Sequence, residues 1–478
     1  MAKSRKPIRV GIKALRFSSL LFSIVFVPSL LILLLVMYPG VIWHDDVVAL
    51  IMFVGGGHTE HISLLWQLIA YPLLYLSGNV LVYAVFQQLV IALAATFAIT
   101  KLLKLKIIKT KRTAIILAVF YALCPTYLWF NQMLSVDVIF SALLLPVTAL
   151  LIETTLTKGK NLTTKTNVVV FTLLLFFIFE FRKNAVLIIP IVAVALFIVC
   201  KEHRRQVATL FGLVIMSIVL FSGITHRVFG NVIADPNGEM LAVPFQQIGK
   251  VYAQHRYIPP DIKNVLDTVH PAEYWEKSYD PQIADPLKNG IEVTPSFIKN
   301  WIKLGLKYPG TYIQAYLALE YPFFTFGPND VSGNYAVALT VSKQPELRQA
   351  YATMCQTDGC STSFKDQILT PGNEKQLYFA RLPSEIANNN IPIVSDLFKD
   401  LFFNTGLPFY IMLTAIVVSL ARRRYELLIT TAPLWGIMAV FLLTAPVGQF
   451  RYSIQAYCIL PVIVILLWRE RPYLRERA

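Results

Sequence analysis

Residues 61–76 run HISLLWQLIAYPLLYL, and whether this stretch crosses a membrane decides the layout of the whole chain. A span needs about 20 mostly apolar residues. Ten other runs approach that requirement, near 18–37, 80–100, 113–130, 136–156, 167–181, 185–200, 207–226, 403–421, 427–445 and 454–468. Basic residues cluster between them. One group is Lys3, Arg5, Lys6, Arg9, Lys13 and Arg16, and a second is Lys101, Lys104, Lys106, Lys109, Lys111 and Arg112. Further groups are Lys158, Lys160 and Lys165, then Lys201, Arg204 and Arg205, then Arg422, Arg423 and Arg424, and finally Arg469, Arg471, Arg475 and Arg477. With ten spans, all of these fall on one side, which the inside bias of Lys and Arg makes the cytoplasm. Counting 61–76 as an eleventh span would place the second cluster outside. The stretch is therefore expected to lie along or partly into the outer face, as an interfacial or re-entrant helix. Trp66, Tyr71 and Tyr75 suit that depth.

Composition agrees with lipid as the solvent. Hydrophobic residues make up 56% of the 478 and charged residues only 15%, with mean hydropathy +0.58. Soluble proteins carry about 25% charged residues. The net charge of +15 does not point to nucleic acid, because it sits in short clusters between apolar runs. The first run is too long for a cleaved signal peptide and no A-x-A site follows it. The expected fold class is an all-α polytopic membrane protein of about ten transmembrane helices, with both termini cytoplasmic. Its parts are an N-terminal membrane module (1–226), an extracytoplasmic cap (227–402) and a C-terminal membrane module (403–478).

The outer segments are then 38–60, 131–135, 182–184, 227–402 and 446–453. The long one holds 15 Lys/Arg against 18 Asp/Glu and is dense in Pro and turn signals. Helical patches are expected at 244–255, 295–307, 309–320 and 376–389, with no β-repeat. Cys124, Cys200 and Cys458 lie in apolar runs and are expected in the core. Cys355 and Cys360 flank an Asp-Gly turn and could close a small disulfide in an oxidising compartment.

Ionisable groups at membrane depth are costly and so become functional candidates. Asp45 and Asp46 follow the first span in Trp43-His44-Asp45-Asp46. Such a pair can act as a general base or hold a divalent cation, Mg2+ or Mn2+, and Asp137 could join that site. The plain alternative for each Asp is a helix N-cap, with Ser135 sharing the role beside Asp137. Arg182 and Lys183, with Asn184, break the inside bias, as does Arg451 beside Tyr452. Cations there suit a phosphate headgroup, against the alternative of snorkelling. His58 and His61 flank Glu60, but no third ligand supports a zinc site. His44 and His58 are instead candidates for substrate hydrogen bonding. Gln246, Gln247 and Glu320 could line a sugar or acceptor groove, though ordinary surface is the preferred reading of them.

The arrangement resembles the GT-C superfamily of membrane glycosyltransferases. The residues that carry the resemblance are Tyr38-Pro39-Gly40-Val41-Ile42-Trp43-His44-Asp45-Asp46 in the first outer loop and Ser135-Val136-Asp137-Val138-Ile139-Phe140. Phe181-Arg182-Lys183-Asn184, Pro244-Phe245-Gln246-Gln247 and Pro446-Val447-Gly448-Gln449-Phe450-Arg451-Tyr452 are similar to a branch found in Gram-positive bacteria. The long loop falls between spans seven and eight, whereas many relatives carry their soluble domain at the C-terminus. The resemblance implies a polyprenyl-phosphate sugar as donor, one of Asp45 or Asp46 as base on the acceptor hydroxyl, and Arg182, Lys183 and Arg451 on the donor phosphate. The acceptor would be a cell-envelope glycan, a teichoic-acid-like polymer or a glycolipid. A monomer in the bacterial cell membrane is expected.

Two other classes compete. A polysaccharide polymerase or ligase acting on diphosphate-linked glycans would place its essential Arg and His on the long loop. A transporter or flippase would show repeated halves and polar groups at the bilayer midplane. No repeat is present, and the ionisable groups lie at helix ends.

Overall fold

The computed structural model describes residues 6–35, 41–42, 46, 49, 53, 58–59, 63–77, 80–183, 185–229, 232–233, 237–288, 290–325 and 402–468. These residues are mostly helical. Among the described residues four stretches are long and apolar enough to cross a membrane: Leu15–Leu35, Leu81–Lys104, Val136–Leu156 and Lys201–Phe229. They belong to α1 (Lys6–Leu35), α3 (Val80–Lys104), α6 (Val136–Leu156) and α9 (Arg204–Phe229). Shorter apolar helices accompany them: α2 (Leu64–Ser77), α8 (Ala185–Val199), α16 (Leu407–Ala421) and α18 (Ala432–Thr444). Helix α7 (Lys165–Phe181) packs against α6 and α9.

The helix α6 is apolar on all sides and is buried along nearly its whole length, as that pattern requires. It packs against α3 and α7, and α3 in turn packs against α1. By contrast, α1 and α9 leave large apolar side chains exposed, including Leu20, Leu31, Val219 and Leu220. Helices α8 and α18 approach so closely at Gly436 that a Cβ there would lie 2.7 Å from Cα of Ile188.

Three of the expected spans are each interrupted. Residues 113–130 divide into α4 (Lys111–Leu123) and α5 (Pro125–Phe130), and 427–445 into α17 (Glu426–Thr430) and α18. The last run divides into α19 (Phe450–Tyr457) and α20 (Leu460–Trp468). Pro125, Pro433 and Pro461 each stand in the first turn after a break, where a missing N–H costs nothing. The carbonyls freed at the last break find partners. Tyr127 Oη donates to the Tyr457 carbonyl at 2.7 Å and Tyr121 Oη to that of Cys458 at 2.8 Å.

The segment around 61–76 forms a helix, α2, but does not display Trp66 at a surface. That ring is 1% exposed and its Nε1 donates to Tyr83 Oη. Short strand pairs, not anticipated from sequence, fasten the first loop. Strand β1 (Val41–Ile42) runs parallel to β3 (Met133–Leu134), and β2 (His58–Thr59) runs parallel to β4 (Val232–Ile233).

A second helical cluster comprises α10 (Ala242–Ala253), α11 (Pro260–Leu266), α12 (Ala272–Lys277), α13 (Asp285–Lys288), α14 (Pro295–Lys307) and α15 (Pro309–Phe324). The patches expected at 244–255, 295–307 and 309–320 are thus present, while 376–389 lies outside the described residues. The cluster has its own core of Phe245, Trp275, Phe297 and Leu304. It is tied to the main bundle by Ala284 N–H donating to the Pro446 carbonyl at 2.8 Å, by a bridge between Ile283 and Val447, and by Phe323 stacked on Phe441 at 5.8 Å. Cys124 and Cys200 are buried free thiols and Cys458 is half-buried. Cys355 and Cys360 lie outside the described residues.

Candidate functional site

The site is built around the first turn of α6. Ser135 caps that helix, its Oγ accepting from the Asp137 N–H at 3.3 Å. Asp46 reaches the same turn from the first loop, its Oδ1 accepting from the Val136 N–H at 3.4 Å. The β1–β3 pair makes this possible by holding residues 41–42 alongside 133–134. Two carboxylates thus meet at a helix N-terminus, where the backbone partial charge favours anions. The cap reading is correct for Ser135. Asp46 serves a different helix from one beginning beside it, because the N–H it accepts from lies 90 residues later in the chain.

With Ser135 as cap, Asp137 is available for other partners. Its Oδ1 forms an ion pair with Nε of Arg182 and accepts from Gln455 Nε2 at 3.0 Å. Arg182 is the C-cap residue of α7 and Gln455 lies in α19. Four chain segments therefore converge within one small polar centre: the first loop, the start of α6, the end of α7 and α19. Beside it, Lys183 pairs with the buried Glu180 at 3.2 Å and lies over the Phe179 ring at 5.0 Å. The Lys183 side chain remains 45% exposed.

Beneath the centre lies a floor of buried amides. Gln87 Nε2 donates to the Asn131 carbonyl at 3.0 Å, and Gln88 Nε2 donates to the same oxygen. Ser29 Oγ donates to Gln88 Oε1, and Gln132 Nε2 lies 3.2 Å from Ser29 Oγ. Gln87 Oε1 accepts from the Ser135 N–H at 3.4 Å. These bonds fix the turn 131–135 that presents the start of α6. Sequence reasoning missed Ser29, Gln87, Gln88, Gln132 and Gln455 because within the membrane runs it weighed ionisable groups first. The available signal was uncharged amides inside apolar runs, which are costly to bury without partners.

The remaining expected residues are scattered in character. His44, Asp45 and Asn184 lie outside the described residues. The backbone of His58 forms β2, and Arg451 belongs to the first turn of α19. Tyr452 is a core residue, its ring 6.0 Å from that of Phe441. Gln246, Gln247 and Glu320 are not surface, contrary to expectation, since all three are buried. Gln246 Nε2 bridges the carbonyls of Asp280 and Ile283 at 2.8 and 2.6 Å. Gln247 bonds the Tyr312 carbonyl at 3.3 Å and takes the Trp301 indole N–H at 2.8 Å. Both clamp the second cluster together. Neither Glu320 oxygen has a hydrogen-bond partner among the described residues, and burial pushes its carboxyl up to about 9.

Among the described residues no group of three or more His, Cys, Asp or Glu side chains could hold a metal ion. At Asp137 the donor set fits a metal poorly, because Oδ1 already faces a guanidinium and an amide N–H.

An apolar groove of about 660 Å3 runs along the bundle from Thr113 and Ile116 to Tyr127, Tyr457 and Phe402. Tyr127 also borders a small enclosed cavity lined by Val138, Ser141 and Ile454, next to Asp137 and Gln455 in sequence. Tyr457, which lines the groove, and Gln455, which donates to Asp137, both belong to α19.

No curated protein and no solved structure matches the chain. A family model described as "Family of unknown function (DUF6020)" matches residues 76–477, so the segments that build α3 to α20 are all within it and the chain belongs to the DUF6020 family.

Proposed function

We propose that this chain is a multi-pass glycosyltransferase of the bacterial cell membrane, moving a monosaccharide from a polyprenyl-phosphate donor to a cell-envelope glycan or glycolipid. The reading takes ten spans, both termini in the cytoplasm, and 227–402 as an extracytoplasmic cap. The observation that carries it is the convergence of Asp46, Asp137, Arg182 and Gln455 at the end of the bundle where α6 begins. A lipid-borne donor needs a cation at headgroup depth, a carboxylate beside it and an apolar path for its tail. The groove ending at Tyr127 and Tyr457 supports the third requirement.

In this mechanism Asp137 is a positioning residue. It holds Arg182 by Nε, which leaves the terminal nitrogens of the guanidinium to grip the donor phosphate. Lys183, more exposed, adds a second cation, and Arg451 is the third. Asp46 is buried and engaged with the N-terminus of α6, so it anchors the loop, and the base role within the acidic pair falls to Asp45. The acceptor oxygen forms its bond to the anomeric carbon as the bond from that carbon to the phosphate oxygen breaks. The proton passes to Asp45, and polyprenyl phosphate leaves against Arg182 and Lys183, whose charge stabilises the departing anion. Direct displacement inverts the anomeric centre.

The test is complementation of a deletion strain, with mass analysis of its envelope glycans. Asp45→Asn is expected to abolish the product while the purified protein keeps its melting temperature. Full product with Asp45→Asn and with Asp45→Ala would remove the mechanism. Full product from those variants, together with loss on changing Arg or His of the long loop, would favour a polymerase or ligase.

A further inference from the structure

The cap carries an apolar face that its own core does not use. On α15, Ile313, Leu317 and Tyr321 follow one another at helical spacing and are 58%, 49% and 53% exposed. The preceding helix α14 adds Ile302 and Leu306, the latter 80% exposed. Lys299, Lys303 and Lys307 alternate with them on α14, and Lys307 lies 4.5 Å over the Tyr257 ring. Apolar side chains edged by lysines are the pattern of a helix resting on a bilayer surface.

The attachment of α15 says where that bilayer is. Its C-terminal end is fixed to the first turns of α16: Tyr410 Oη donates to the Phe324 carbonyl at 2.7 Å, and the rings of Phe324 and Phe409 are 5.1 Å apart. The Thr325 carbonyl lies so close to Gly406 that a Cβ there would be 2.2 Å from it. Below that joint α16 exposes Leu413, Val417 and Leu420 along its length. The helix has only 15 residues, about 22 Å at ~1.5 Å per residue. The hydrocarbon core is about 30 Å thick. Roughly 8 Å of acyl chain therefore remains beyond the end of α16 and has to meet whatever is docked there. The element docked there is α15.

We propose that the α14–α15 hairpin lies on the outer leaflet, with Ile313, Leu317, Tyr321 and Leu306 among the acyl chains and Lys303 and Lys307 at the phosphates. The cap is then a membrane-bound element and not a domain held clear of the surface. The inference rests on the membrane reading of the bundle but not on glycosyl transfer.

The test is a depth measurement on the full chain in nanodiscs of phosphatidylcholine and phosphatidylglycerol. Nitroxides are placed singly at Leu306, Ile313 and Leu317, with Lys277 of α12 as a control, on a cysteine-free background. The three hairpin positions are expected to collide more with oxygen than with a nickel chelate, and Lys277 to do the reverse. A water-like reading at any of the three overturns the proposal. Should the background not fold, Leu317→Trp in the native chain, read as a difference against the parent with bromine on acyl carbons, decides the same question. Added quenching supports contact and none overturns it. An inactive transferase would leave either result unchanged.

Discussion

Asp137 and Arg182 face each other with little water between them, their side chains 14% and 17% exposed. Asp137→Asn and Arg182→Gln should each lower the melting temperature, and the double variant should fall no further than the worse single one. Coupling of about 0.5–3 kcal/mol is usual for such contacts. Strictly additive losses would mean that the pair does not act as one unit. Glu320 makes a prediction of opposite character. Its folded value near 9 lies above the ordinary 4.5, so at pH 7 the folded protein holds a proton that the unfolded chain has released. Stability from this group is present below about pH 4.5 and declines as pH rises toward 9, by at most about 1.4 kcal/mol per pH unit. Glu320→Gln should therefore raise the melting temperature more at pH 8 than at pH 6. An equal gain at both would place the carboxyl in water. The sequence singled out Asp46, Asp137 and Arg182 as candidates but not the contacts that bring them together. Gln455 was invisible because its role depends on Asp137, 318 residues away.

At the scale of elements, periodicity identified the long helices, since each needs only its own apolar run. It did not identify the breaks. Pro125, Pro433 and Pro461 mark interruptions, yet Pro146 and Pro190 sit inside continuous helices. At the last break the Tyr121 and Tyr127 hydroxyls donate to the carbonyls of Cys458 and Tyr457, contacts between segments far apart in the chain that no local pattern reveals. The α8–α18 contact gives an element-level test. Gly436→Ala would push a methyl into Ile188, and overpacking of this kind costs about 1–3 kcal/mol. A clear drop in melting temperature is expected, and adding Ile188→Ala should not restore it, because the nearest atom is the Cα of that residue. An unchanged melting point would mean that the helices separate at little cost.

For the whole molecule, apolar runs made the membrane character readable, and four of the described helices are long and apolar enough to span; the layout of ten spans with a cap at 227–402 follows from the inside bias of the charge clusters. The layout predicts opposite sides for two exposed lysines. In intact cells a membrane-impermeant maleimide should label Lys277→Cys but not Lys158→Cys, which becomes reactive only after lysis. The reverse pattern would invert the topology and put the acidic pair in the cytoplasm. The two-residue strands were beyond any sequence reading, since pairs so short carry no alternation to detect.

Those strands also dictate an order of assembly. Val41 pairs with Met133 and His58 with Val232. As the chain leaves the ribosome, the first loop has no partner until the start of α6 has been made, and its second strand waits until α9 is complete. Contacts between such distant residues form late. The polar centre is therefore finished near the end of biogenesis, after its own helices are already threaded. Chains interrupted before residue 232 would display an unfastened first loop, a ready mark for membrane quality control to act on.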